Sequence, residues 1–146
     1  MALRVYRVCR AIHAELDGQG ARIAGGRWNS PGRAMVYMAE SVSLAVLENL
    51  VHMSKEDFPT GYVTVEAVIP DSVAILQEEE RRRASKVTPA MLGDRWLASM
   101  TSAVLRVPSA VVPSEHNFLL NPLHPQFSEI VVEPAKKFRF DPRMFA

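Results

Sequence analysis

The chain has a single cysteine, Cys9, among 146 residues, so no internal disulfide can form and a reducing compartment suits it. Cys9 sits in an apolar alternation and reads as a core thiol rather than a nucleophile. No apolar run approaches the roughly 18 residues that a bilayer-crossing helix needs. The opening Met1-Ala2-Leu3-Arg4-Val5 lacks the charged start and apolar stretch of a secretory signal, and a cytoplasmic location is expected. Several chemical signatures are missing as well. Gly18, Gly20, Gly25 and Gly26 do not make a GxGxxG turn after a strand, and there is no P-loop. Ser109 is not in a GxSxG elbow, which argues against a serine hydrolase. Glu48 and His52 lack the HExxH pattern and a third ligand, so no metal is expected. There is no RNP motif, zinc-finger spacing or basic helix to favour nucleic acid. The first 33 residues contain no lysine but six arginines, opposed only by Glu15 and Asp17. That bias suggests discrete anion contacts rather than a polybasic surface.

What is present is an ordinary globular composition, 48% apolar and 23% charged. The length suits one domain over residues 1–146, with neither repeats nor an interdomain linker. The most informative stretch is Gly25-Gly26-Arg27-Trp28-Asn29-Ser30-Pro31-Gly32. Glycines let a backbone approach a ligand, and arginine offers a planar fork for phosphate or carboxylate. Trp28 could stack on a ring ligand beside Arg27, or anchor the loop to the core.

Alternation predicts strands at Leu3–Cys9, Ala34–Ala39 and Tyr62–Ile69, with a further short one at Val73–Leu76. Residues 10–33 hold five of the seven glycines and read as a long functional loop with a short helix near Ile12–Leu16. Ser41 is an N-cap for a helix to about Met53. Its apolar arc would comprise Val42, Leu44, Val46, Leu47, Leu50, Val51 and Met53, with Ala45, Asn49 and His52 opposite and Glu48 at the margin, half desolvated. Thr88-Pro89 opens another helix with Leu92, Trp96, Leu97 and Met100 on its apolar face. Between these helices, Glu78–Arg83 reads as a solvated charge run. Proline-punctuated strands follow at Val104–Val107, Ala110–Val112, His116–Leu120, Glu129–Val132 and Lys137–Phe140. Helices mixed with strands first, and strands alone after, favour α+β over a doubly wound sheet.

Each candidate residue has a plain alternative. Arg27 could be a turn residue or a ligand clamp. Tyr37 could be a core aromatic with its hydroxyl at the surface. Glu48 could be a solvated helix carboxylate, and His52, one turn on, could pair with it. Ser109 could bind ligand or cap a turn, and Asn117 and Asn121 read as turn caps around Phe118-Leu119-Leu120.

Taken in order, these segments resemble the RES domain, named for an Arg, a Glu and a Ser. The stretches that carry the resemblance are Arg4-Val5-Tyr6-Arg7, Gly20-Ala21 with the Gly25–Gly32 loop, Val36-Tyr37, Ala45–His52, Gly93-Asp94-Arg95-Trp96, Leu105–Ser109, Asn117–Pro122 with His124-Pro125, and Phe140–Arg143. The naming residues map to Arg27, Glu48 and Ser109. The resemblance implies an α+β fold similar to ADP-ribosyltransferase toxins, with central mixed or antiparallel strands and flanking helices. It implies a cytoplasmic bacterial toxin that acts on NAD⁺ as substrate, by hydrolysis, phosphorolysis or transfer of ADP-ribose to a protein, and an Xre-like antitoxin as partner. In this reading Arg27, Tyr37, Glu48 and Ser109 carry catalysis, and Gly26, Arg27, Trp28, Asn29 and His52 bind NAD⁺. Residues 18–33 and the Glu78–Arg83 run are candidate antitoxin surfaces, and a homodimer is compatible with the sequence. A non-catalytic module that binds a nucleotide or a protein in the same pocket is the alternative.

Overall fold

Strict alternation of half-buried and buried residues makes Tyr62–Ile69 a strand, β3, covered on one face and partly covered on the other. In the computed structural model, which describes residues 2–54, 56–78 and 86–145, β3 pairs along its whole length with β1 (Leu3–Arg10), antiparallel from Leu3↔Ile69 to Arg10↔Tyr62. On the far side of β1, β2 (Val36–Ala39) pairs antiparallel with it and with β6 (His116–Leu120). β5 (Val104–Pro108) continues the sheet antiparallel to β6, and β4 (Ile75–Gln77) closes that edge parallel to β5. At the other edge β7 (Val131–Val132) and β8 (Lys136–Phe138) both pair with β3. The strand order is β4-β5-β6-β2-β1-β3-β7, so one mixed sheet crosses the molecule and the fold is α+β.

Directly paired residues of an antiparallel ladder share a face, so the register sorts the core. One face carries Val5, Val36, Met38, Val63, Val65, Ala67, Phe118 and Leu120, packed on Leu16, Val73 and Ile130. The opposite face carries two separate apolar clusters. Val8 and Ala39 lie under α2 (Val42–Leu50).

 Val8 and Ala39 form the first cluster with Leu44, Ala45 and Val46 of that helix and with Phe140. Leu105, Val107 and Leu119 form the second with Trp28, Met35 and two residues of α3 (Pro89–Ser99), Trp96 and Leu97. The seam between the two clusters runs over β2 and β6.

Both main helices begin where the sequence marks them. The Ser41 hydroxyl accepts from the Leu44 amide and the Thr88 hydroxyl from the Met91 amide, and Pro89 sits in the first turn of α3. Several expected elements differ. The helix expected near Ile12–Leu16 is only a 3₁₀ turn at Ala11–His13, and a short α1 (Gln19–Ala24) follows inside the expected loop. α2 stops at Leu50, short of Met53. Its inward side includes Ala45 and Asn49, whose Nδ2 donates to the Val8 carbonyl at 2.8 Å, while Leu47 and Val51 are exposed. The helix buries Leu44, Ala45 and Val46, so its inward side is turned towards Ala45 and Asn49 relative to the expected arc. Ala110–Val112 is a turn rather than a strand, and Glu129 ends a 3₁₀ helix at Pro125–Glu129 before the two-residue β7. The fourth strand falls at Ile75–Gln77 instead of Val73–Leu76, and the last at Lys136–Phe138 instead of Lys137–Phe140. Of the Glu78–Arg83 run, residues 79–83 lie outside the described residues.

Candidate active site

The glycine-rich stretch folds because its two glycines do different things. Gly25 caps α1 with φ 75°, a left-handed conformation that glycine adopts at little cost. Gly26 and Asn29 then exchange backbone hydrogen bonds across a tight turn, Gly26 N donating to Asn29 O at 3.0 Å. Arg27 stands exposed on that turn and Trp28 points inward. Gly26 lies against the hydroxyl end of Tyr37, where an added Cβ would meet the hydroxyl at 2.6 Å. The Tyr37 hydroxyl donates to Asn29 Oδ1 at 2.6 Å and accepts from the Trp28 amide at 2.9 Å. Burial, more than any other influence, pushes its pKa up to about 12, so it stays a donor at neutral pH.

A second support comes from α3. An added Cβ on Gly93 would fall 1.7 Å from the Trp28 carbonyl oxygen, so the helix backbone touches the turn directly. The next residue, Asp94, accepts from the Ser30 amide at 3.0 Å and the Ser30 hydroxyl at 2.6 Å. Arg27 is thus presented by a turn fixed from below by Tyr37 and from the side by α3.

Glu48 stands in the last turns of α2, half-buried at the seam. Its Oε2 accepts from Ser109 Oγ and from Asn117 Nδ2, each at 2.7 Å. Ser109 Oγ in turn accepts from the amides of Val111 and Val112 at 3.1 and 3.0 Å. The register places Asn117 opposite Ala39 and Leu119 opposite Tyr37, so Tyr37 and Asn117 are near neighbours on one face of the sheet. Tyr37, which fixes the turn bearing Arg27, and Asn117, which holds Glu48, therefore take neighbouring positions of the same β2–β6 ladder. An arginine fork can take a phosphate there, and a carboxylate with one oxygen tied down can present the other to a developing positive charge.

The structure sorts the expected site residues accordingly. Arg27 stands exposed on its turn, and Glu48 is half-buried with both described bonds on Oε2. Trp28 is buried: its indole is 2% exposed, packed with Met35, Trp96 and Leu119, so it anchors the loop rather than stacking on a ring ligand. Asn29 is 1% exposed, and its amide hydrogens are shared among the carbonyls of Ala21, Ser30 and Arg33, which makes it the organiser of the loop. Ser109 is both a turn cap and the holder of Glu48, with its hydroxyl fully engaged and 2% exposed, so direct ligand binding does not fit it. His52 lies beyond the end of α2, exposed, and is not among the partners of Glu48. Asn121 does cap a turn, accepting from the Leu123 amide at 3.0 Å, but Asn117 holds the carboxylate instead. Gly93, Asp94 and Asn117 are the residues whose site roles sequence reasoning missed; the place of Gly93-Asp94 in one of the stretches that resemble the RES domain was the one signal for the first two. Among the described residues no group of three or more His, Cys, Asp or Glu could hold a metal ion, and no helix is long and apolar enough to cross a membrane. A groove of about 440 Å³ on the opposite face of the sheet, lined by Leu16, Val65, Phe127 and Val132, lies away from Glu48.

The profile of the RES domain matches residues 4–141. The "Prs ADP-ribosylating toxin" of Sphingobium sp. (strain YBL2) is 39% identical over 97% of this chain and 94% of its own length. A "Toxin Res" of Yersinia enterocolitica is 38% identical over 97% of this chain and 99% of its own. Among solved structures, the M. tuberculosis MbcT–MbcA toxin–antitoxin complex contains a chain that superposes with a TM-score of 0.74, covering 99% of this chain and 87% of that one at 18% identity, which is a likeness of fold.

Proposed function

The chain belongs to the RES domain family, and on that footing we propose that it is the toxin of a toxin–antitoxin pair, an enzyme that breaks the nicotinamide–ribose bond of NAD⁺. The observation that carries the reading is the Glu48 carboxylate, held through one oxygen by Ser109 and Asn117 beside a turn that presents Arg27. Nicotinamide leaves as a neutral base, so the bond needs no metal to break. The sugar left behind has oxocarbenium character, and a fixed carboxylate stabilises that charge without having to reorganise. Glu48 Oε1 is the oxygen turned to this task, through a ribose hydroxyl. Arg27 holds the pyrophosphate as a charge-assisted fork. Tyr37 contributes its ring edge beside nicotinamide while its hydroxyl fixes the turn. The ADP-ribosyl acceptor is water, phosphate or a protein side chain, and the name of the Sphingobium relative, an ADP-ribosylating toxin, supports transfer. An enzyme that consumes NAD⁺ harms its own cell, so a neutralising antitoxin is part of the proposal, supported by the complex in which the similar fold is found.

The test is nicotinamide release by purified protein, with and without phosphate and a cell extract, with the second product identified by mass spectrometry. Glu48→Gln keeps the shape and removes the charge, and is expected to lose turnover and toxicity together; full turnover in this variant would overturn the electrostatic role. Arg27→Ala is expected to weaken NAD⁺ binding by on the order of 2 kcal/mol, the loss of a charged hydrogen bond, as read by calorimetry. Nicotinamide release under no condition would favour a binding module in the same pocket.

A further inference from the structure

Asn117 is bonded on one side only. Its Nδ2 donates to Glu48 Oε2 at 2.7 Å, while its Oδ1 is buried and has no hydrogen-bond partner among the described residues. Buried amide oxygens are normally satisfied, and an orphan needs a reason. Turning the amide over does not supply one, because it would set Oδ1 against the carboxylate oxygen of Glu48. Nor does the strand need the side chain: β6 makes its ladder with β2 and β5 through the backbone on both sides of position 117. Asn121, four residues on, shows the contrast, since both its Oδ1 and its Nδ2 are engaged with nearby chain. Asn117 therefore keeps an unsatisfied acceptor in order to aim a donor at Glu48.

We propose that Asn117 is a positioning residue for the reaction of Glu48, fixing with Ser109 which carboxylate oxygen is tied to the sheet and which is left for the ligand. This rests on the NAD⁺-consuming reading of the site. Two donors on one oxygen hold the carboxylate against rotation. Ser109 alone cannot do so, because one bond leaves the carboxylate free to swing about it. A neutral amide is suited to the place, since it can donate without bringing a charge that competes with the sugar cation. The ionisable side chains on the elements around the pair include Tyr37, Glu40, His116, Tyr6 and His52. Tyr37 is bonded to the turn, Glu40 and His116 approach each other across β2 and β6 at 3.6 Å, Tyr6 lies on β1 opposite Ala39, and His52 is at the surface.

The experiment compares wild type, Asn117→Ala and Asn117→Asp in steady-state nicotinamide release across pH, with melting temperatures alongside. Asn117→Ala is expected to lower kcat by about 10- to 100-fold, the rate equivalent of one hydrogen bond to a charged group, with KM changed by less than about threefold. The nearly isosteric Asn117→Asp sets two carboxylates in contact, which must share a proton, so the acid limb of its kcat profile is expected to move up by about one pH unit or more. Melting temperatures near the wild-type value show that the fold is kept. An Asn117→Ala kcat equal to wild type, or an Asn117→Asp profile that superposes on the wild-type profile, overturns the proposal. Absence of nicotinamide release from wild type itself would instead overturn the reaction on which it rests.

Discussion

Tyr37 fixes the Arg27 turn through one hydroxyl, and its burial has a consequence in alkaline solution. The folded protein holds the phenol proton to about pH 12, chiefly because the group is buried. An unfolded chain releases it near pH 10. Between those values the unfolded state binds fewer protons, so stability is intact below about pH 10 and falls as pH rises towards 12. Wild type is expected to lose melting temperature across that window more steeply than Tyr37→Phe, which carries a fixed loss at every pH; parallel curves would sink this reading. The sequence shows a strand through Tyr37 and a turn at Arg27, and both are present, but the Tyr37 hydroxyl meets Asn29 and Trp28 instead of the surface. It hides that Trp28 and Asn29 face inward, because four consecutive residues of a turn look alike until the core beneath them is known. Glu48 was visible at the margin of its helix. Its holders were not, since Ser109 and Asn117 lie 61 and 69 residues away and meet it only through strand register.

Among the elements, α3 is the one whose packing tolerates least. Glycine inside a helix costs about 1 kcal/mol against alanine, so Gly93→Ala would stabilise an isolated α3. Here the added methyl would stand 1.7 Å from the Trp28 carbonyl oxygen. Overpacking of this kind costs about 1–3 kcal/mol or more, and the net effect is expected to be a lower melting temperature with a displaced Arg27 turn and weaker NAD⁺ binding. An unchanged melting temperature would mean that α3 can slide away freely. β3 was readable to the residue from its alternation, and β6 from the turn residues and prolines that flank it. α1 was not: it has six residues, contains Gly20 and buries none of its side chains, so no period marks it. Ala110–Val112 carries two valines and reads as a strand, yet Ser109 captures the amides of Val111 and Val112 that a ladder would need.

Over the whole molecule, the sheet is strongest at its middle. β1 is paired on both sides and shares an eight-residue register with β3, while β4 and β7 are edge strands of three and two residues. Amide hydrogen exchange is expected to be slowest in β1, β3 and β6 and fastest in β4 and β7; early exchange in β1 would contradict that order. The α+β class followed from the order of elements in the chain. The division of one face into two clusters did not, because it depends on which helix covers which strands. The contact of Gly93 with Trp28 bears on heredity as well as on packing. If expression of the chain kills its host, survivors selected after random mutagenesis should carry changes at Gly93 as readily as at Arg27 or Glu48, since any side chain there disturbs the same turn from underneath. A map of such survivors would trace the hidden scaffold of the site in the genetic record, without a ligand ever being bound.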